Sequence, residues 1–179
     1  NELHIPVSTA GHLISAYSLG VAVGAPFLIV MRKLPLRKVL LILASVIAAG
    51  NTFAALAPEF YTLLCARFIS GLPHGAFFGC GSIVCTRLAA KGHGAAAVAV
   101  MIGGMTVANV IGVPAATFIS NLLAWRWAFA LVALFGLFAV IAIRSWVPVL
   151  DALPDTGLKG QFRFLRSGAP WLIYGGVFF

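Results

Sequence analysis

Arg67 and His74 are the residues of this sequence whose types and spacing could do chemistry in an unusual setting. They lie in Arg67-Phe-Ile-Ser-Gly71-Leu-Pro-His74-Gly75-Ala-Phe-Phe-Gly79, a run otherwise built of apolar and small residues. Arg67 is a permanent cation, and an unperturbed imidazole titrates near pH ~6.5, so His74 is able to carry a proton. Seven residues make two helical turns, which puts the pair on one face and roughly 10 Å apart along the axis. Arginine in a membrane span costs about 2.5–3.5 kcal/mol on insertion scales, so it faces a cavity or a partner. Gly71, Gly75 and Gly79 recur every fourth residue and clear a groove for a neighbouring backbone. The combination points to a path for a solute or a proton.

The composition requires a membrane for these residues to sit in. Hydrophobic residues make up 61% of the 179-residue chain and charged residues only 9%, with a mean hydropathy of +1.05. A soluble domain carries roughly 25% charged residues, and no water-facing surface can be assembled from this sequence. The formal charge of +8 does not mark a nucleic-acid binder, because the twelve Lys and Arg are scattered through short gaps between apolar runs. That is the pattern of membrane loops. Cys65, Cys80 and Cys85 fall in one apolar span without metal-ligand spacing and read as buried structural thiols. No cofactor or metal is expected.

Apolar runs at about Ser8–Met31, Val39–Ala57, Tyr61–Cys85, Ala95–Ile119 and Ala128–Trp146 are each long enough to cross a ~30 Å hydrocarbon core. A sixth run begins at Gly168 and stops too short to cross. Pro26 is expected to bend the first span, Ser120–Trp127 to form a loop with an interfacial Trp125-Arg126-Trp127 cluster, and the fifth span to face lipid. The gaps at 32–38, 87–94 and 144–166 hold ten Lys and Arg, whereas the opposite face has Arg126 alone. The positive-inside rule therefore puts those gaps in the cytoplasm and residue 1 outside. An outside start without a signal peptide leads to the expectation of a longer parent protein, with one span before Asn1 and more chain after Phe179.

Four stretches, in order, resemble the major facilitator superfamily, in particular its drug/proton antiporters and arabinose-efflux-permease-like sugar exporters. Gly24-Ala-Pro to Arg37-Lys38 is similar to the basic helix 2–3 loop motif, and Arg67-x-x-x-Gly71-x-x-x-Gly75 to the helix 4 arginine motif. Gly104 to Gly112-Val-Pro114 is similar to the glycine-proline antiporter motif of helix 5, and Trp125-Arg-Trp-Ala-Phe129 to the start of helix 6. Gly71-Leu-Pro-His-Gly-Ala-Phe-Phe78 looks closest to the sugar-efflux subgroup. There are departures: the usual acidic residue of the helix 2–3 loop is absent, and Ala115-Ala116 stand where a further glycine is common.

The resemblance implies an all-α membrane protein, a partial major-facilitator N-terminal helical bundle of about five full transmembrane helices plus the start of another. Residues 1–147 would be helices two to six of the first half, 148–166 the cytoplasmic linker and 167–179 the start of the second half. It implies a bacterial inner membrane and, as partners, lipid, protons, a small-molecule substrate, and the first helix and C-terminal half of the same protein.

By depth, Arg67 lies roughly 9 Å below the outer end of its span, and Asn109 reaches a similar level from the other side. A hydrogen-bonded Arg67–Asn109 pair is therefore expected; the alternative is an arginine snorkelling to the outer headgroups. His74 is either a proton carrier or a neutral ring bonded to a backbone carbonyl that the nearby proline leaves free. Tyr17, Phe77 and Phe78 either line a cavity or simply pack. Gly24, Gly71, Gly75, Gly104, Gly112 and Pro114 are candidates for helix packing and gating, and Arg32, Lys33, Arg37 and Lys38 for a cytoplasmic gate or for topology alone. No Asp or Glu lies within a full span, so a proton-carrying carboxylate would belong to the parts of the family fold outside this sequence.

Three functions compete. The first is secondary active export of a small organic solute by exchange with protons. The second is a membrane scaffold that transports nothing. An intramembrane enzyme is the weakest, since Gly81-Ser82 is followed by Ile83 and no nucleophile stands beside a base.

Overall fold

The computed structural model describes residues 6–153, together with Gly168 and Trp171. The proposed linker from residue 154 onward and the start of a second half lie outside the described residues, those two positions aside. Every regular element among the described residues is helical: α1 (Val7–Gly24), α2 (Phe27–Val30), α3 (Leu36–Ala55), α4 (Phe60–Gly71), α5 (His74–Leu88), α6 (Gly94–Val107), a π-helical turn (Ala108–Gly112), α7 (Val113–Leu122) and α8 (Trp125–Trp146). They make five crossings of 23, 20, 29, 29 and 22 residues. At 1.5 Å per residue the shortest spans about 30 Å, the thickness of the hydrocarbon core.

Prolines divide three of the five crossings. Pro26 separates α1 from α2, and Pro73 separates α4 from α5. In each case a residue without an N–H, whose ring crowds the preceding turn, ends one helix and starts the next. Pro114 acts differently: it sits at the start of α7, directly after the π turn that contains Asn109 and Gly112. Widening the helix there takes up the ladder bond that the proline cannot donate. Hydroxyl and amide side chains within the crossings bond back to their own helices, as Ser70 does to the Arg67 carbonyl, Ser82 to Phe78 and Asn51 to Ile47. Water cannot serve these groups in hydrocarbon, so local backbone carbonyls do.

The main core lies between α3, α5 and α8. Leu36, Val39, Leu40, Leu43, Ala76, Cys80 and Val84 are buried there, with Leu150 and Leu153 folded against the same cluster. A second core of Ala54, Ala57, Leu63 and Ala66 forms at the other end, covered by Leu13, Trp125 and Phe129. The segment after α8 turns back across the bundle: the Leu36 amide donates to the Leu150 carbonyl and the Arg87 guanidinium to that of Asp151.

Several sequence expectations change. Trp125-Arg126-Trp127 is the first turn of α8, not loop; Arg126 donates to the Ala57 carbonyl and the Trp125 ring packs on Phe129. An interfacial signature sets depth and leaves the backbone free to be helical. Arg37 and Lys38 likewise belong to the first turn of α3, which starts directly after Pro35. The fifth crossing is not a purely lipid-facing helix: α8 packs along α3, with Gly136 against Ala48. The fourth crossing has the barest surface, with none of its residues buried. Of the three cysteines only Cys80 is buried, and Cys65 is exposed.

Candidate functional site

The close approach of α1 and α4 builds the site. Gly20 and Gly24 of α1 lie directly against the carbonyls of Phe68 and Leu72, and Gly71 of α4 against the carbonyl of Tyr17. A Cβ at any of the three would collide with a backbone oxygen, so these glycines set the distance between the helices. Gly75 and Gly79 continue the groove more loosely, facing Ala25 and Leu28.

At that separation Tyr17 of α1 reaches both Arg67 and His74 of the third crossing. The Arg67 guanidinium lies over the Tyr17 ring, 4.4 Å from its centroid, and 5.5 Å from that of Phe129. The Tyr17 hydroxyl and His74 Nδ1 are 2.9 Å apart, in a hydrogen bond. Phe78 closes the other side of the imidazole, with ring centroids 5.1 Å apart. Arg67, Tyr17, His74 and Phe78 therefore form one contiguous half-buried cluster. Stacking a desolvated guanidinium on aromatic faces is worth roughly 0.5–2 kcal/mol, which offsets part of the cost of holding it in the membrane.

The Tyr17–His74 bond has a chemical property of its own. With neutral imidazole accepting at Nδ1, the phenol O–H donates; with imidazolium, Nδ1–H donates to the phenol oxygen. In the tautomer whose Nδ1–H donates to the phenol oxygen, Nε2 is the basic site, and a proton can arrive or leave there with the Tyr17 contact kept.

The expected Arg67–Asn109 pair does not form. Arg67 engages two aromatic rings, whereas Asn109 is exposed in the π turn and makes no hydrogen bond to it. Equal depth did not imply facing sides. Of the two readings of His74, the bond to a backbone carbonyl is not formed among the described residues; its Nδ1 meets the Tyr17 hydroxyl. Among the described residues, no atom lies within 4 Å of where a Cβ would stand at Gly104 or Gly112, so the fourth crossing presents these glycines outward. Of the basic residues, Arg32 donates to the Ile29 carbonyl at the end of α2, Arg37 donates to the Arg144 carbonyl at the end of α8, and Lys33 is exposed.

Comparison with known proteins agrees with this architecture. AraJ of Escherichia coli (strain K12), a transporter by provisional name, is 42% identical over all of this chain and 46% of its own length. The inner membrane transport protein YdhP of the same organism is 39% identical over 80% of this chain and 37% of its own. The chloramphenicol resistance protein of Streptomyces lividans is 32% identical over 95% of this chain and 41% of its own. The chain thus spans less than half the length of these relatives. The profile of the Major Facilitator Superfamily matches residues 1–179. With five apolar crossings and a match along its whole length, the chain is an integral membrane protein that belongs to the Major Facilitator Superfamily, a family of transporters rather than enzymes.

Proposed function

We propose that the intact protein exports a small organic solute, a sugar or a drug-like molecule, in exchange for protons, by alternating access in a bacterial inner membrane. The observation that carries this reading is the Arg67–Tyr17–His74 cluster: a fixed cation, a phenol and a titratable imidazole in contact within apolar crossings. A membrane scaffold has no need of a cation and a titratable ring held together at that depth. The relative named for chloramphenicol resistance supports a drug-like substrate, and the Gly71–Phe78 sequence supports a sugar.

In this reading the described crossings belong to one half of the transporter. The bare face of the fourth crossing, with Gly104, Asn109, Gly112 and Pro114, packs against the other half and slides on it as the halves rock. The ends carrying Arg32, Lys33, Arg37, Lys38, Arg87 and Arg144 face the cytoplasm, and the helix 2–3 loop serves there as a gate.

The test is reconstitution of the intact protein in liposomes with an imposed pH gradient and a panel of labelled sugars and antibiotics. Gradient-driven movement of at least one solute, abolished by a protonophore, is the expected result. Solute movement indifferent to the gradient would remove proton exchange, and no movement across the panel would remove the export reading.

A further inference from the structure

A second polar cluster lies away from Arg67, where α3 begins and α8 ends. Arg37 and Lys38 from the first turn of α3 and Arg144 from the last turn of α8 converge on one cleft of about 570 Å³, completed by Pro35, Leu41 and Val149. The Arg37 guanidinium donates to the Arg144 carbonyl, which fixes it at the mouth and leaves further N–H donors unused. Lys38 and Arg144 are exposed. Among the described residues, no carboxylate pairs with any of the three; Asp151, on the segment that follows, does not line the cleft.

Topology and helix capping account for one or two cations here. A basic residue at the end of α8 meets the negative end of its dipole, and loop cations set orientation. Neither explains three cations around one cavity with no acid among the described residues, an arrangement that repels itself until an anion enters. The remaining walls describe that anion. Leu41 and Val149 are apolar; on α8, Trp146 two residues after Arg144 is 83% exposed, and Ile141 and Phe138, about one and two turns before Arg144, are exposed as well. A cationic rim, an interfacial tryptophan and an apolar face below it match a phosphate group that carries acyl chains.

We infer that the cleft between Pro35–Leu41 and Arg144–Val149 is a binding site for the headgroup of an anionic phospholipid, whose chains lie along the exposed face of α8. Three cations, each worth about fivefold in affinity at a membrane surface, give a clear preference over zwitterionic lipid of the same chain length. The site does not depend on which solute the protein moves, or on whether it moves one.

The experiment is native mass spectrometry of the intact, delipidated protein titrated with phosphatidylglycerol or with phosphatidylcholine of identical chains. Wild type is expected to retain phosphatidylglycerol at least tenfold better. The Arg37→Gln/Lys38→Gln/Arg144→Gln variant loses that preference, whereas Lys33→Gln and Lys91→Gln, outside the cleft, keep it. An unchanged preference in the triple variant overturns the inference, and so does equal loss in the two outside variants. Displacement of the lipid by soluble glycerol 3-phosphate at similar concentration also overturns it, because the site then takes a free phosphate. If the triple variant fails to fold, Lys38→Gln and Arg144→Gln alone, at exposed side chains, are each expected to lower the preference severalfold, and no change in either overturns the assignment.

Discussion

The Tyr17 hydroxyl sits 2.9 Å from His74 Nδ1, a contact between residues 57 apart in sequence and on different crossings. The same phenol ring supports the Arg67 guanidinium at 4.4 Å. Tyr17 is therefore the element through which a fixed charge and a titratable group share one environment. Tyr17→Phe separates its two jobs, since it keeps the ring under Arg67 and removes the hydrogen bond. Abundance and thermal stability are expected to fall by no more than the ~1 kcal/mol of an ordinary hydrogen bond, while proton-coupled flux falls about tenfold or more. Tyr17→Leu, which removes both contacts, is expected to be worse on both counts.

Glycine substitutions separate packing between α1 and α4 from packing in the fourth crossing. Gly24→Ala and Gly71→Ala each drive a methyl into a carbonyl of the opposite helix. Both are expected to cost several kcal/mol, at or beyond the ~1–3 kcal/mol of typical overpacking, and to lower the yield of folded protein. Gly104→Ala and Gly112→Ala meet nothing among the described residues and should fold normally. A loss of transport in well-folded Gly104→Ala would mark the face as one that another part of the protein uses. Fluorescence-detected size-exclusion chromatography with thermal challenge, alongside the flux assay, reads both quantities.

Gly136 carries the packing of α8 on α3. A Cβ there would stand 3.0 Å from that of Ala48, so alanine asks for a shift of a few tenths of an ångström and valine for more. Gly136→Val is expected to destabilise by about 1–3 kcal/mol, and Gly136→Ala by clearly less. Melting temperatures in detergent order the two. Equal melting would contradict the packing described for this pair of helices.

Thiol accessibility offers a check that needs no substrate. Cys65 is exposed, Cys85 intermediate and Cys80 buried, its Sγ 3.6 Å from the Leu36 carbonyl. A membrane-permeant maleimide is expected to modify Cys65 fastest and Cys80 slowest in single-cysteine variants. Rapid modification of Cys80 would contradict the α3–α5 core.

The sequence showed the five crossings and two of the proline breaks directly, because an apolar run of this length and a residue without an N–H act locally. Arg67 and His74 stood out by the cost of burying them. Their link through Tyr17 was not legible, because it depends on how α1 rotates against α4, and residue counting along one helix does not report rotation about it. The Asn109 expectation failed for the same reason. Depth follows from the 1.5 Å rise, but the azimuth of a helix comes from its neighbours, and the fourth crossing turns Asn109 outward. The Gly71–Gly79 groove pointed to a close neighbour without naming it; the structure puts the first crossing there, with Gly20 and Gly24 answering Gly71.

The most direct test of the account is the proton-driven flux of the intact protein in liposomes, comparing wild type with Arg67→Lys, Arg67→Ala and His74→Gln. Lysine keeps the charge but loses the planar group that stacks on Tyr17, so Arg67→Lys should retain a fraction of the activity and Arg67→Ala almost none. His74→Gln should move solute down its own gradient and lose the response to the pH gradient. Wild-type coupling in His74→Gln, or full transport in Arg67→Ala, would contradict the claim that this cluster lies on the path.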